Sequence, residues 1–484
     1  MDTAKAAHRN LIGGEWCDAA DVTQNVNPSD TREIVGLYAR GGAADAQHAV
    51  EAARAAFPAW SGSSPQLRHD ILARAAHELQ SRREELGRLL SSEEGKTLPE
   101  GIGEVARAAS VLSFMAGEAL RIRGDRLPGL QPGSDTEVTR EPLGVVGVIS
   151  PWNFPIAIPA WKIAPALAYG NTVVFKPADL VPASAWALVD ILHRAGLPDG
   201  VLNLVMGPGS QIGSVLCSHP EVDAISFTGS VPTGRRIAAD CVAGPSMKRM
   251  QLEMGGKNPL VILDDADLDV AVECAVQGAF FSTGQRCTAS SRFIVTEGIH
   301  DRFVQGVARR LETLRIGHAL RADSHIGPVV DRKQLDVDLS YIDIGRKEGA
   351  RLVSGGERLE RDTPGFYLQP ALFSEVDPSM RIAREEIFGP VASVTRARDF
   401  EEALHLANDT EFGLAAGICT TSLRHASQFK RQAQAGIVKV NQATSGLDYH
   451  LPFGGRKASS YGPREQGQYA VDFYTVIKTA YTSA

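Results

Sequence analysis

Apolar positions recur at helical spacing through the first 120 residues, after a short strand-like start. An apolar stripe of Ala, Val and Phe predicts a helix over residues 45–57. A longer helical region is predicted over residues 64–90, where Pro65 suits a first helical turn. A third helix is predicted over residues 98–120, interrupted by its glycines.

The hydrophobic pattern changes near residue 141, where short β-branched runs begin to alternate with helical stretches. Such alternation predicts βαβ units and a doubly wound parallel sheet, with a second α/β region beginning near residue 258. The predicted strands are 145–149, 172–175, 201–205, 224–227, 260–263, 292–295 and 436–440. The predicted helices are 183–195, 235–241, 264–281, 303–314 and 404–408.

Two further segments are predicted to be extended and to lie outside these layers. Gly and Pro collect in residues 124–133, residues 136–140 alternate, and residues 473–478 read as a terminal strand. Strands outside the main sheets leave unpaired edges that need covering. We therefore predict a small β-sheet across a subunit contact, in a homodimer or homotetramer.

Composition and charge narrow the class of protein. Of the 484 residues, 43% are hydrophobic and 22% charged, which is typical of globular domains and argues against disorder. The formal net charge of −7 gives no bulk attraction for nucleic acid or for anionic membranes. We expect neither partner, no membrane span, no secretory signal and a cytoplasmic protein. The six cysteines lack zinc-ligand spacing, so we expect thiols and no metal site.

Two glycine clusters follow predicted strands. Gly207, Gly209 and Gly213 approach a dinucleotide fingerprint, but the last gap is one residue too long. Gly229 and Gly234 have half of the P-loop spacing, yet two arginines replace the Lys and Ser or Thr that complete it. An NTPase is therefore disfavoured. Both a pyrophosphate site at a helix start and a plain tight turn stay open.

Six motifs together resemble the NAD(P)-dependent aldehyde dehydrogenase family, from about residue 13 to residue 481. They are 151–155 (PWNFP), 175–178 (FKPA), 227–230 (FTGS), 252–256 (LEMGG), 284–287 (GQRC) and 385–390 (EEIFGP). The resemblance implies an α/β fold with a Rossmann-type cofactor domain (1–123 and 142–253), an α/β catalytic domain (254–465) and a small β oligomerisation element (124–141 and 466–484).

The resemblance also implies the catalytic residues. An aldehyde carbon must become tetrahedral before it can release hydride, and a thiolate supplies that centre by covalent attack. Cys287 matches the nucleophile, and Asn153, with the Cys287 backbone N–H, matches the oxyanion donor. Glu253 matches the general base that releases the thioester by hydrolysis, its pKa raised by partial burial. Lys162 and Glu465 match a proton relay, with a snorkelling side chain as the alternative.

The implied cofactor is NAD, with NADP left open. Lys176 and Asp179 match the contacts to the adenosine ribose, Glu386 the contact to the nicotinamide ribose, and Phe388 the packing beside the ring. A carboxylate at Asp179 repels a 2′-phosphate, but its short arm leaves room for one. The other residues expected at the cofactor are Ile149, Pro151, Trp152, Gly209, Gly213, Phe227, Gly229, Ser230 and Gly234.

Two features bear on the aldehyde. Arg286, next to the nucleophile, could pair with a substrate carboxylate, or favour the thiolate. Residues 446–467 look like those of bacterial α-ketoglutaric semialdehyde dehydrogenases. Residues 156–160 are apolar throughout and offer no second cation, so a neutral aliphatic or aromatic aldehyde stays an alternative. The residues expected at the substrate are Arg286, Trp161, Thr288, His450 and Phe453.

Two other classes of function remain. A thiol esterase could use Cys287 with His450 and no redox chemistry. A non-catalytic binding protein on the same fold would have lost its nucleophile or its base. Cys287, Glu253 and Asn153 are all present, so we favour the dehydrogenase.

Overall fold

The computed structural model describes residues 7–244 and 247–483. Its strands, in chain order, are β1 (Asn10–Ile12), β2 (Glu15–Cys17), β3 (Asp21–Val26), β4 (Ile34–Arg40), β5 (Asp125–Pro128), β6 (Ser134–Pro142), β7 (Val145–Ile149), β8 (Thr172–Lys176), β9 (Leu202–Leu204), β10 (Ala224–Thr228), β11 (Arg249–Glu253), β12 (Pro259–Ile262), β13 (Arg292–Thr296), β14 (Arg351–Ser354), β15 (Ala371–Ser374), β16 (Val391–Ala397), β17 (Ala415–Cys419), β18 (Ile437–Val440), β19 (Ser460–Tyr461) and β20 (Thr475–Ser483).

Its α-helices, in chain order, are α1 (Ala43–Ser61), α2 (Pro65–Ser81), α3 (Arg83–Glu94), α4 (Leu98–Ala119), α5 (Ala157–Ala168), α6 (Pro182–Arg194), α7 (Gly209–Ser218), α8 (Val231–Ala243), α9 (Leu268–Ala279), α10 (Glu297–Glu312), α11 (Arg332–Lys347), α12 (Arg381–Arg384), α13 (Phe400–Asn408), α14 (Leu423–Gln432) and α15 (Val471–Tyr474). In this part of the chain, no helix is both long and apolar enough to cross a bilayer.

The first sheet has the order β19-β11-β10-β7-β8-β9-β1-β2, and its inner strands from β11 to β9 are parallel. Alternate residues of each strand enter different cores. Val146 and Val148 pack under α2, α4, α5 and α6, whereas Val145 and Ile149 pack under α1, α7 and α8. Burial on both faces explains the nearly unbroken apolar run of β7.

The second sheet has the order β14-β15-β16-β13-β12-β17-β18 and is parallel except at β14. It is also covered on both faces. Leu260 and Ile262 pack with α9 and α10, and Val261 packs with α13 and α14. These two layers confirm the predicted doubly wound α/β class.

A third, antiparallel sheet, β20-β6-β5, stands apart from the two layers. The predicted extended segment 124–140 contains β5 and β6, and β6 pairs with the terminal strand β20. The terminal prediction of residues 473–478 needs correction, because residues 473 and 474 end α15 and the strand runs over Thr475–Ser483. Two segments contact a sheet other than the one their predicted domain implies. β19 pairs with β11 of the first sheet, and Phe473 and Tyr474 lie in the core of the first sheet. The predicted division into domains stays a prediction.

Two helix predictions near the N-terminus need correction. The region predicted over residues 64–90 is two helices, α2 and α3, separated at Arg82. The glycines of α4 do not interrupt it. Gly101 is buried against α3, where a Cβ would lie 2.6 Å from the Gly87 carbonyl oxygen, so it allows two helix backbones to approach closely.

Candidate active site

Cys287 lies where two cavities meet. The chain reaches it through a turn ending at Gly284, whose φ of 67° suits glycine and whose Cβ position lies 2.4 Å from the Gly389 carbonyl oxygen. The thiol is partly exposed, and Cys287 lines both a cavity of about 280 Å³ and a second one of about 220 Å³. One residue can therefore face two bound molecules.

The surroundings of Cys287 fix its backbone and hold its thiol neutral. Asn258 Nδ2 donates a hydrogen bond to the Cys287 carbonyl oxygen at 2.8 Å. Burial raises the pKa of the Cys287 thiol to about 12, and the charges of Glu386 and Glu253 add to this shift. The backbone N–H groups of Cys287 and Thr288 act in the opposite direction.

Asn153 follows β7 and lines the 220 Å³ cavity beside Cys287. Its side chain is buried, with 3% of the residue exposed, and its Nδ2 donates to the Gln285 carbonyl oxygen at 2.9 Å. Lys96 Nζ donates to the Asn153 carbonyl oxygen. The loop is thus held from both sides, and one N–H of the amide remains for another acceptor.

Glu253, Lys162 and Glu465 form a buried polar cluster next to the site but not in the wall of either cavity. Ser460 Oγ donates to Glu253 Oε2 at 2.5 Å, and burial together with the charge of Glu465 raises the pKa of Glu253 well above its ordinary value. Lys162 Nζ donates to Glu465 and, at 3.0 Å, to Ser226 Oγ. The relay residues therefore meet, while Glu253 lies behind the cavities.

The 220 Å³ cavity has the features expected of a nicotinamide site. Trp152 and Phe388 form an edge-to-face pair with ring centroids 5.4 Å apart. Glu386 Oε1 accepts a hydrogen bond from the Gly256 N–H at 2.8 Å, and burial raises the pKa of Glu386 to about 7. The other predicted residues in its wall are Pro151, Asn153, Gly229 and Ser230.

The start of α8 suits a pyrophosphate. Ser230 precedes the helix without capping it, because its Oγ instead contacts Thr233 Oγ1 at 3.0 Å. The first backbone N–H groups of α8 therefore keep their capacity to bind an anion. Gly234 lies in the first turn, where a Cβ would be 2.4 Å from Met254 Sδ. Phe227, on β10, packs in the core beneath.

The remaining predicted cofactor residues lie along the carboxyl ends of neighbouring parallel strands, where such sheets bind nucleotides. Lys176 ends β8, and burial lowers the pKa of its ammonium group to about 8, against the charge of Asp179. A Cβ on Gly209, which begins α7, would lie 3.7 Å from Lys176 Nζ. A Cβ on Gly213 would lie 3.9 Å from Ile149.

The 280 Å³ cavity contains four of the five residues predicted at the substrate: Arg286, Trp161, Thr288 and Phe453. The rings of Trp161 and Phe453 lie 5.5 Å apart. Arg286 Nη2 donates to Glu100 Oε1 at 2.9 Å and to Ser282 Oγ at 2.7 Å. The Nη2 group of Arg286 therefore bonds Glu100 and Ser282 rather than the Cys287 thiol.

His450 does not line either cavity, so its predicted contact with the substrate gains no support from the structure and stays a prediction. A turn in which the Leu451 N–H donates to the Asp448 carbonyl oxygen leaves the His450 side chain exposed. Its ring packs edge-to-face with Tyr449 instead. This position offers no support for an esterase that uses Cys287 with His450.

The sequence analysis missed a polar stripe of α4 and the loop before it. Lys96, Glu100, Glu104 and Arg107 all line the 280 Å³ cavity. Residues 156–160 contain no cation, and Lys96 and Arg107 instead provide cationic groups in the wall of this cavity. Polar residues at the helical spacing of 100, 104 and 107 inside an otherwise apolar helix were the available signal. Gln334 was also missed, in the wall of the 220 Å³ cavity.

Other parts of the described chain offer weaker sites. No group of three His, Cys, Asp or Glu side chains there could hold a metal ion. A larger cleft, of about 640 Å³, lies around residues 314–324. Its Arg321 pairs with Asp362 at 2.7 Å, and no cysteine lines it. We therefore keep the two cavities at Cys287 as the candidate active site.

The fold and the site define a class of enzyme in which a cysteine lies between two cavities, one suited to a nucleotide and one suited to a small molecule. Residues 16–480 match the aldehyde dehydrogenase family. The chain belongs to this family, which confirms the predicted family, fold class and dehydrogenase activity.

Individual relatives are similar over nearly the whole chain. The α-ketoglutaric semialdehyde dehydrogenase of Bacillus subtilis is 45% identical, with 99% of each chain covered. The α-ketoglutarate semialdehyde dehydrogenase of Haloferax volcanii is 43% identical, covering 98% of this chain and 99% of that one. A betaine aldehyde dehydrogenase of Staphylococcus aureus, solved in complex with NAD⁺, has a TM-score of 0.95 and 35% identity, covering 98% of this chain and 94% of that one.

Proposed function

We propose that this protein oxidises a carboxylated semialdehyde to the acid, with NAD or NADP, through a covalent intermediate on Cys287. The observation that carries the proposal is the position of Cys287 between the cavity with Trp152 and Phe388 and the cavity with Trp161 and Arg286. A sulfur placed there can hold an aldehyde carbon in front of a nicotinamide ring.

In the first step, Cys287 transfers its proton to water in the cavity, and its sulfur attacks the aldehyde carbon, whose C=O π electrons move to the oxygen and give a thiohemiacetal with a negatively charged oxygen. The Asn153 side chain and the Cys287 backbone N–H are the proposed donors to this oxygen. The Gln285 carbonyl oxygen orients the Asn153 amide, and Lys96 holds the Asn153 backbone. The donors are thus positioned before the charge develops.

The residues around the 220 Å³ cavity fit a dinucleotide. The uncapped start of α8 suits its pyrophosphate, Glu386 and Lys176 suit its ribose hydroxyls, and the ring of Phe388 offers a packing surface. When bound, NAD(P) would accept the hydride of the thiohemiacetal, leaving a thioester on Cys287. The NAD⁺ complex of the betaine aldehyde dehydrogenase supports NAD, and the short Asp179 keeps NADP open.

In the last step, Glu253 takes a proton from the water that attacks the thioester, and the acid leaves Cys287. The raised pKa of Glu253 suits a proton acceptor working near neutral or alkaline pH. Its side chain must turn from Ser460 toward the cavity to do this. Lys162 and Glu465 are the proposed path for the proton.

The substrate class rests on relatives and on the cavity. Two relatives that share 43–45% identity with nearly this whole chain are named for α-ketoglutaric or α-ketoglutarate semialdehyde. The cavity of about 280 Å³ suits a small molecule, and Arg286 and Arg107 place cationic side chains in its wall. α-Ketoglutaric semialdehyde is therefore our main candidate, and a neutral aliphatic or aromatic aldehyde is the alternative.

We also propose a homodimer or homotetramer held by the sheet of β20, β6 and β5. Exposed apolar side chains on β20, such as Ile477 and Tyr481, support this assembly. The cytoplasm is the proposed compartment, because a catalytic thiol such as Cys287 persists there in its reduced form.

The proposal is tested by the formation of reduced cofactor from α-ketoglutaric semialdehyde and from pentanal, each with NAD⁺ and with NADP⁺. We expect a higher kcat/KM for the semialdehyde, and the better of the two cofactors identifies the preference. A higher kcat/KM for pentanal would overturn the carboxylated substrate. Hydrolysis of thioesters or esters without any reduction of cofactor would overturn the dehydrogenase.

A further inference from the structure

The wall of the substrate cavity contains three cations and two carboxylates, on Lys96, Arg107, Arg286, Glu100 and Glu104. Among these five side chains the cations outnumber the carboxylates by one, and the charges of Glu104 and Asp448 act on Arg107 without forming a salt bridge with it. How the five groups pair shows which cation is left over.

Two of the three cations already have a carboxylate partner. Lys96 Nζ lies 2.7 Å from Glu104 Oε2 in a fully buried ion pair, and Arg286 Nη2 lies 2.9 Å from Glu100 Oε1. Glu104 Oε1 also accepts hydrogen bonds from the Ile156 backbone N–H. These two pairs are fixed parts of the wall, and neither cation is free for a substrate without losing its partner.

Arg107 is different, since it forms no salt bridge with a carboxylate anywhere in residues 7–244 or 247–483. Its Nη2 donates to the neutral amide oxygen of Gln466 at 3.2 Å, and its Nε is buried without a hydrogen-bond partner. The guanidinium lies over the Trp161 ring, 5.6 Å from the centroid, which fixes its plane beside the cavity.

We infer that Arg107 is the specificity-determining residue of this site, binding the carboxylate of the semialdehyde while Cys287 holds its aldehyde carbon. This inference rests on the proposed function. A carboxylate is planar and can accept two parallel hydrogen bonds from a guanidinium, which matches the unsatisfied donors of Arg107.

The contact is remote from the reacting carbon, so it should be present in the ground state and in the transition state alike. Losing it should then raise KM and leave kcat nearly unchanged. A merely structural role would act differently. Arg107 also bonds Gln466, the neighbour of Glu465, so a loop displaced by its loss would slow every aldehyde through kcat.

The experiment compares glutaric semialdehyde with pentanal, which share a five-carbon chain and differ in the terminal carboxylate. Steady-state constants are measured for the wild type, Arg107→Met, Arg107→Lys and Arg121→Met. Methionine keeps an apolar stem against Trp161 and removes the charge. Arg121, just beyond α4, is a surface residue paired with Glu118 and serves as the matched control.

For Arg107→Met, we expect kcat/KM for glutaric semialdehyde to fall roughly 10- to 100-fold through KM, with pentanal changed by less than about threefold. Arg107→Lys should recover part of the loss, and Arg121→Met should match the wild type. Equal losses for both substrates, or no loss in Arg107→Met, would overturn the inference. A wild type that prefers pentanal would instead overturn the proposed carboxylated substrate, so the two failures are distinguishable.

Discussion

Desolvation raises the pKa of both the partly exposed Cys287 thiol and the buried Glu253 carboxyl group. The thiol is therefore neutral at pH 7, and the Glu253 carboxyl group keeps its proton to a higher pH than an exposed glutamate would. Each must lose a proton before it can act, Cys287 before attack and Glu253 before hydrolysis. Because both acidic groups have raised pKa values, a rise in pH increases the active form of each.

Glu253→Gln should separate the two chemical steps. Cys287 can still form the thioester, but no carboxylate accepts the proton from water. Rapid mixing with aldehyde and NAD⁺ should therefore give a burst of about one reduced cofactor per active site, followed by slow turnover. If the burst disappears together with turnover, Glu253 acts before the thioester forms.

The pH dependence of the same variant should locate the titrating group. In the wild type, the hydrolysis rate should rise with pH, because Glu253 is protonated below its raised pKa and becomes a base above it. In Glu253→Gln, the slow rate after the burst should lose that rise, while the burst rate should keep its own rise from Cys287. An unchanged slope after the burst would show that another group is the base.

At this scale, motifs predicted that Cys287 and Asn153 lie at the site, but the polar residues that α4 adds to the substrate cavity were not predicted. Cys287 and Asn153 lie in local motifs whose residue types follow from the chemistry. Arg107 approaches Trp161 only because α4 packs on α5, and Arg286 meets Glu100 across 186 positions of sequence. Such pairings are set by tertiary packing, which a single sequence does not display.

Helices α3 and α4 show where local propensity was overridden. Glycine in a helix interior costs about 1 kcal/mol relative to alanine, so the sequence predicted an interrupted helix. In the structure, Gly87 and Gly101 lie at the contact between the two helices, where neither has room for a side chain. The backbones approach more closely as a result, and the buried contacts offset the propensity cost.

Two alanine substitutions in α4 should have opposite effects on stability. In Gly101→Ala, the new Cβ would lie 2.5 Å from Ser91 Oγ and 2.6 Å from the Gly87 carbonyl oxygen, so we expect a loss of about 1–3 kcal/mol. In Gly103→Ala, nothing lies within 4 Å of the new Cβ, so we expect a gain of up to about 1 kcal/mol. Thermal unfolding followed by circular dichroism measures both, and shifts of the same sign would contradict this packing.

Seven strands of the two layers, β7, β8, β9, β10, β12, β13 and β18, were predicted to within a residue or two, because apolar runs between turns are distinctive. The buried strands β15, β16 and β17 were not predicted. Strand β7 matches its predicted range of residues 145–149. Strand β11, which carries Glu253, was not predicted as a strand. Its sequence, RMQLE, is mixed because Gln251 is buried in a polar contact with Ser226 and the strand ends in the base itself. The polar residues of β11 thus interrupt the apolar run from which a buried strand is recognised in the sequence.

For the whole molecule, the sheet of β20, β6 and β5 exposes apolar side chains to solvent in a single chain. Ile477 is 64% exposed and Tyr481 is 74% exposed on β20. Exposed apolar strands are typical of surfaces that pair with another chain. Thr475, the first residue of the strand, is buried, whereas the residues from 476 to 483 are exposed, so removal of the part after Thr475 need not disturb the core.

Removing residues 476–484 should therefore lower the oligomeric state. We expect the full chain to be a dimer or tetramer at micromolar concentration and the truncated chain to shift toward the monomer, since its contact surface is lost. Multi-angle light scattering gives both masses, and circular dichroism checks that the truncated chain is folded. A monomeric full chain would refute the assembly.

The central claim is that Cys287 carries the substrate as a thioester after hydride transfer. Mass spectrometry of Glu253→Gln, quenched after mixing with α-ketoglutaric semialdehyde and NAD⁺, tests it most directly. The account predicts an acyl adduct on the Cys287 peptide, with the mass of the oxidised acyl group, and none without NAD⁺. An adduct on a different cysteine, or cofactor reduction at an undiminished rate in Cys287→Ala, would contradict it.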